Sequence, residues 1–136
     1  MYTSEGKKIV STEKAPKAIG PYSQAVLTQT LVFTAGQIGL DPVTMDIVTG
    51  GVEAETRQAL TNLKHVLESA DSGLNYVIKT LVFLRDMNDF AKMNAIYAEF
   101  FPENPPARST VQVAALPKGA AVEIECVALL SPARGD

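Results

Sequence analysis

The chain has no tryptophan, one cysteine and one histidine among 136 residues, and each scarcity closes off some chemistry. A lone Cys126 excludes an internal disulfide framework and fits a reducing compartment. A zinc site draws about four ligands from His, Cys and carboxylates, and one His with one Cys nearly closes that route. A Ser-His-Asp triad would have to recruit His65, which reads as a partly exposed residue on a helix. Positive charge is short as well: 12 Lys and Arg against 15 Asp and Glu leave a net charge of −3. That balance suits no sequence-blind nucleic-acid binder, whose affinity comes from clustered cations. Apolar runs stop well below the roughly 20 residues of a membrane helix. The start "MYTSEGKKIV" lacks the apolar core of a secretory signal. "TAGQIGL" has the spacing of neither nucleotide-binding glycine fingerprint. The expectation is a soluble cytoplasmic protein without membrane contact, a mitochondrial or nuclear pool being left open.

What is present is enough apolar residue, 46%, for one core. Without repeats or linkers the sequence reads as one domain, 1–136, with residues 131–136 a flexible tail. The terminal Arg134-Gly135-Asp136 matches an integrin-recognition tripeptide, a coincidence at a chain end. Strands are expected at residues 7–11, 24–27 and 31–35. From Val52 the period changes: Leu60, Leu63, Leu67 and Ala70 recur at helical steps. Glu53 and Glu55 suit the positive end of that helix, and Gly73 lies where it should stop. "NYVIKTLVFL" is almost continuously apolar and reads as a well-covered strand. Asp89 would cap a second helix carrying Phe90, Met93, Tyr97 and Phe100 on one stripe, which Pro102, Pro105 and Pro106 terminate.

"STVQV" and "AVEIECVALL" complete the strands. In the latter, Val122, Ile124, Cys126, Ala128 and Leu130 share a face by alternation. The order predicts an α+β layer, two helices on one face of a mixed sheet. The opposite face would show Glu123, Glu125, Val127 and Leu129, too apolar for open water, with no segment left to cover it. A second copy of the chain is the economical cover. Cys126 on the core face reads as an inert thiol.

Four polar residues stand at element ends or inside a helix: Tyr22, Asn94, Arg108 and Glu123. Arg108, in "NPPARSTVQVAALPKG", is a permanent cation with no acid between Glu103 and Glu123. A planar guanidinium matches the two oxygens of a carboxylate or phosphate.

The segments "KAIGPYSQAV", "FTAGQIGLDP", "LVFLRDMNDFAKMNAIYAEFF" and "PPARSTVQVAALPKGAAVEIECVAL" together resemble the Rid family, reactive intermediate deaminases (RidA-like, also called the YjgF or L-PSP endoribonuclease family). The likeness spans residues 9–130 and looks nearest to animal members. It implies a chorismate-mutase-like (bacillus-type) fold and a homotrimer whose sheets form a barrel, with ligand sites between subunits. It further implies hydrolysis of 2-imino or 2-enamino acids, such as 2-iminobutanoate and 2-iminopropanoate, to 2-oxo acids and ammonia. Neither metal nor organic cofactor is called for. By this resemblance Arg108 holds the substrate carboxylate and Glu123 positions the attacking water. Tyr22 and Asn94 line the cleft, and main-chain groups at Gly36 and Thr110 face the ligand. Ala35 and Thr110 depart from the Ser and Cys of many members, which implies an altered substrate preference. The rivals are an endoribonuclease or translation inhibitor, and a non-catalytic trimer that binds small carboxylates or acts as a chaperone.

Overall fold

The computed structural model describes residues 1–132. Positions 133–136, and with them the Arg-Gly-Asp tripeptide and most of the expected tail, lie outside the described residues. The strands are β1 (Lys8–Val10), β2 (Ala25–Leu27), β3 (Leu31–Thr34), β4 (Gln37–Ile38), β5 (Val77–Leu84), β6 (Ala107–Gln112) and β7 (Val122–Leu129). Two helices, α1 (Gly51–Ser69) and α2 (Phe90–Phe100), complete the regular elements, with short 3-10 turns between. The sheet runs β1-β2-β3-β7-β5-β6, and β4 pairs with β7 beyond the end of β3. All pairings are antiparallel except β5 with β6. A parallel pair needs a crossover between its strands, and α2 supplies it. This is the mixed α+β layer that the residue pattern predicts.

The core forms where the expected periods fall. Leu60, Leu63 and Leu67 of α1 have no solvent exposure, and they pack onto the alternating face of β7. That face, Val122, Ile124, Cys126, Ala128 and Leu130, is buried throughout. At roughly 1.5–3 kcal/mol per fully buried large aliphatic side chain, this contact is the main stabilising layer.

Several boundaries differ, each for a local reason. β4 has two residues, too few to show a period. The helix α1 ends at Ser69, and the chain turns through Asp71 in the left-handed region (φ 58°). Gly73 is instead extended, ahead of the 3-10 turn Leu74–Tyr76. Asp89 occupies the N-cap position of α2 without a side-chain bond. Asp86 does the capping, accepting the Asn88 N–H at 2.9 Å at the start of the preceding 3-10 turn. On α2, Met93, Ile96 and Tyr97 are buried, while Phe90 stays 38% exposed. Finally, β5 is covered on one face only. Leu81 and Phe83 on the other face remain partly open, beside Val127 of β7 and the exposed Phe33, Leu129 and Val111. The near-continuous apolarity of β5 therefore does not come from cover within the chain.

Candidate functional site

Arg108 lies on β6 directly beside Thr80 of β5. Thr80 is fully buried, and its Oγ1 shares a 2.8 Å hydrogen bond with the hydroxyl of Tyr97 on α2. Partners across a ladder point to the same side of a sheet, so Arg108 projects on the helix-covered face. Among the described residues the single ion pair is Arg57–Glu99; no carboxylate pairs with Arg108. Its guanidinium carbon sits over the Tyr97 ring at 4.7 Å from the centroid and over the Phe90 ring at 5.5 Å. Such cation–π contacts contribute about 0.5–2 kcal/mol each. Burial pushes the Tyr97 hydroxyl above its ordinary pKa, partly offset by the Thr80 hydrogen bond and the Arg108 charge.

Around Arg108 opens a cleft of about 510 Å³ lined by Asn94, Tyr97, Ala98, Phe101, Pro105 and Pro106. The chain bends into it because the prolines after α2 end the helix and carry an extended segment back to the sheet edge. Two buried oxygens nearby lack hydrogen-bond partners, Asn94 Oδ1 and Thr110 Oγ1. Both oxygens can accept a hydrogen bond.

Glu123 faces the other way. It pairs with Phe83 across the β5–β7 ladder, and Phe83 is three residues beyond Thr80, so Glu123 projects on the outer face. It lines a smaller cleft, about 70 Å³, with Lys17, Ile19, Tyr22, Gly36 and Pro117. Burial, and secondarily the neighbouring Glu125, push its carboxyl above the ordinary pKa. Gly36 is needed for this arrangement: a Cβ there would lie 2.7 Å from the Glu123 Cδ and 2.8 Å from its Cγ. With no side chain in the way, the carboxylate packs close to the backbone between β3 and β4. Tyr22 is half exposed, and its hydroxyl accepts the Ile19 N–H at 3.3 Å.

The candidate residues thus fall into two groups on opposite faces of one sheet. Arg108, Asn94 and Thr110 stand with the helices; Tyr22, Gly36 and Glu123 stand on the outer side. Ala35 lines neither cleft and donates its N–H to Gln24 O at 2.9 Å. His65 is half-buried, with Nδ1 3.0 Å from Lys14 O, and also lines neither. The Cys126 thiol is pushed up to about 12 by burial, which leaves it protonated and unreactive. Among the described residues no cluster of three or more His, Cys, Asp or Glu could hold a metal, and no helix is long and apolar enough to cross a membrane.

Sequence reasoning missed Tyr97 and Phe90 as neighbours of Arg108, having placed them on a helix stripe. It also missed a polar strip on α1. Glu55, expected to favour the helix N-terminus, is buried, and its Oε1 accepts the Ala121 N–H at 2.8 Å. Asn62, also buried, donates to Ile38 O at 3.3 Å and Leu40 O at 2.9 Å. Together they clamp β4 and the start of β7, the segments that carry Gly36 and Glu123. A polar residue inside an apolar helix stripe was the available signal.

The sequence model of the family described as Endoribonuclease L-PSP matches residues 12–130. A Homo sapiens protein named 2-iminobutanoate/2-iminopropanoate deaminase is 50% identical over 126 residues, covering 93% of this chain and 92% of its own length. A RutC family protein of Pyrococcus horikoshii is 54% identical over 122 residues, covering 90% of this chain and 97% of its own. Among solved structures, Escherichia coli TdcF with bound serine superposes with a TM-score of 0.87 at 43% identity, over 91% of this chain and 99% of that one. Similarity at this level extends across archaeal and animal relatives alike.

Proposed function

The chain belongs to the family described as Endoribonuclease L-PSP, the YjgF/RidA or Rid family, and from that premise we propose that it hydrolyses 2-imino and 2-enamino acids to 2-oxo acids and ammonia. 2-Iminobutanoate and 2-iminopropanoate are the proposed substrates, as the names of the animal relatives suggest. The observation that carries this reading is Arg108, a permanent cation in a cleft with aromatic neighbours and no acid among the described residues to neutralise it. A small carboxylate supplies the missing charge through paired hydrogen bonds of about 1.5–3 kcal/mol each.

The opposite-face arrangement supports sites built between chains. One copy offers Arg108, Asn94 and Thr110, and a neighbouring copy in a homotrimer offers Tyr22, Gly36 and Glu123. Between them the bound imine meets a water held by Glu123. Water oxygen attacks the imine carbon, the C=N electron pair moves to nitrogen, and Glu123 takes the water proton. The carbinolamine then collapses: Glu123 returns its proton to the amino nitrogen, and the C–N bond breaks with its pair on nitrogen. The hydroxyl proton passes back to Glu123 as its O–H electron pair forms the C=O bond, ammonia leaves and the 2-oxo acid remains on Arg108. A protonated imine is already electrophilic, so positioning of the reactants supplies most of the acceleration. Tyr22 and Asn94 limit the size of acid admitted. No metal or cofactor takes part in these steps.

RNA cleavage is the rival that the family description raises. His65, the chain's single histidine, lines neither cleft, and that favours the deaminase.

The test couples the protein to a threonine dehydratase that releases 2-iminobutanoate, following 2-oxobutanoate above spontaneous hydrolysis. Wild type is expected to accelerate its formation. Arg108→Ala should abolish the acceleration, and Arg108→Lys should lower it tenfold or more, because the charge stays while the planar fork is lost. Equal rates for all three proteins would sink the assignment of Arg108. RNA cleavage surviving rigorous purification, without imine hydrolysis, would favour the rival.

A further inference from the structure

We infer that Tyr97, locked by Thr80 and assisted by Phe90, is a positioning residue that orients the Arg108 guanidinium toward the incoming carboxylate. The inference rests on the reading of Arg108 as that carboxylate's anchor.

A long, flexible arginine side chain is usually fixed by a carboxylate, which occupies the N–H groups a ligand would need. Here two ring faces take that place. Tyr97 and Phe90 attract the cation through their π faces, at 4.7 and 5.5 Å, and neither ring carries an anionic group to compete with a ligand's oxygens. The guanidinium donors all lie in its own plane, so held in this way the fork is oriented, and the N–H groups not turned to the Tyr97 hydroxyl stay available to a ligand's oxygen atoms.

Tyr97 suits the task better than an arbitrary core aromatic because its own position is over-determined. Its ring is 6% exposed and packs 4.7 Å, centroid to centroid, from Phe101. Its hydroxyl is bonded to Thr80, the residue paired with Arg108 in the neighbouring strand. A closed circuit results: the Arg108 backbone beside Thr80, the Thr80 hydroxyl on Tyr97, and the Tyr97 ring under the Arg108 head. Rotation of any one member disturbs the other two. A ring that merely filled the core would need no hydroxyl, and a buried hydroxyl is tolerated there only when bonded.

The experiment measures equilibrium binding of 2-oxobutanoate by NMR titration, with fold integrity followed by circular dichroism and turnover recorded in the coupled assay. Tyr97→Leu is expected to weaken binding at least tenfold in folded protein. Tyr97→Phe, which keeps the ring but loses its lock on Thr80, should bind more tightly than Tyr97→Leu and more weakly than wild type. Phe90 is 38% exposed, so Phe90→Leu should fold normally and weaken binding about threefold. Folded Tyr97→Leu with a dissociation constant within twofold of wild type overturns the inference. Tyr97→Phe that binds no more tightly than Tyr97→Leu also overturns it, since the ring under the guanidinium would then contribute nothing. If Tyr97→Leu does not fold, Phe90→Leu decides, and an unchanged constant there counts against the inference. Arg108→Ala is titrated alongside. Wild-type binding by that variant removes the anchor itself, whereas its loss with unaffected ring variants removes only the role of Tyr97.

Discussion

The carboxyl of Glu123 is held above its ordinary pKa, first by burial and second by Glu125, with opposite consequences for stability and turnover. A raised pKa means that the fold prefers the protonated form. The stabilisation this brings is fully present below the unfolded pKa, near 4.3 for glutamate. It is lost as pH rises through the folded value. Glu123→Gln, which removes the ionisation at nearly constant volume, is therefore expected to raise the melting temperature at pH 7. The gain should shrink toward zero on acidification below about pH 4. Turnover needs the anion as proton acceptor, so the wild-type rate should fall as pH drops through that raised value, and the variant should be slow at every pH. Thermal melts and rates across pH 4–8 check both limbs. A variant that is no more stable than wild type at pH 7 would mean that the Glu123 anion is not disfavoured in the fold.

At the scale of elements, legibility followed the range of the interaction. The α1 stripe and the alternation of β7 could be read because local periodicity decides which face is buried. Arg108 was marked out by the absence of nearby acids along the chain. Its aromatic neighbours were not legible, because Tyr97 and Phe90 look like ordinary apolar members of an amphipathic helix. Glu55 was misread for a related reason: near a helix start an acid has a local explanation, but its partner Ala121 is 66 residues away. Asn62 gave the clearest overlooked signal, a polar group between apolar turns of α1. Its side chain holds Leu40 O, and Gln58 Nε2 donates to its Oδ1 at 2.8 Å. Asn62→Leu leaves that carbonyl without its side-chain donor inside the fold. Destabilisation by about 1–3 kcal/mol is expected, measured by urea unfolding. A change near zero would show that α1 does not clamp β4 through this bond.

For the whole molecule, the outer sheet face and the split site make the same demand. Phe33, Leu129 and Val111 are 45%, 44% and 42% exposed, and Leu81, Phe83 and Val127 lie half-buried on that same face. An apolar surface of this kind on an isolated chain marks an interaction site. Arg108 and Glu123, pointing away from each other across one sheet, cannot act on one small molecule within a single chain. Packing copies together would cover the face and let one chain's Arg108 approach another's Glu123. A charge placed on the face should therefore abolish assembly and catalysis together while sparing the fold. Wild type is expected to sediment as a trimer and Phe33→Arg as a monomer. Its helix content should be retained, and its imine hydrolysis should fall at least tenfold although every candidate site residue is intact. Mixing Arg108→Ala with Glu123→Ala chains adds a second reading. Neither should act alone, yet after exchange of subunits some interfaces regain one intact Arg108 and one intact Glu123, and activity should partly return. A monomeric Phe33→Arg protein with full activity, or mixed variants that stay inactive despite exchanging subunits, would place the whole reaction within one chain.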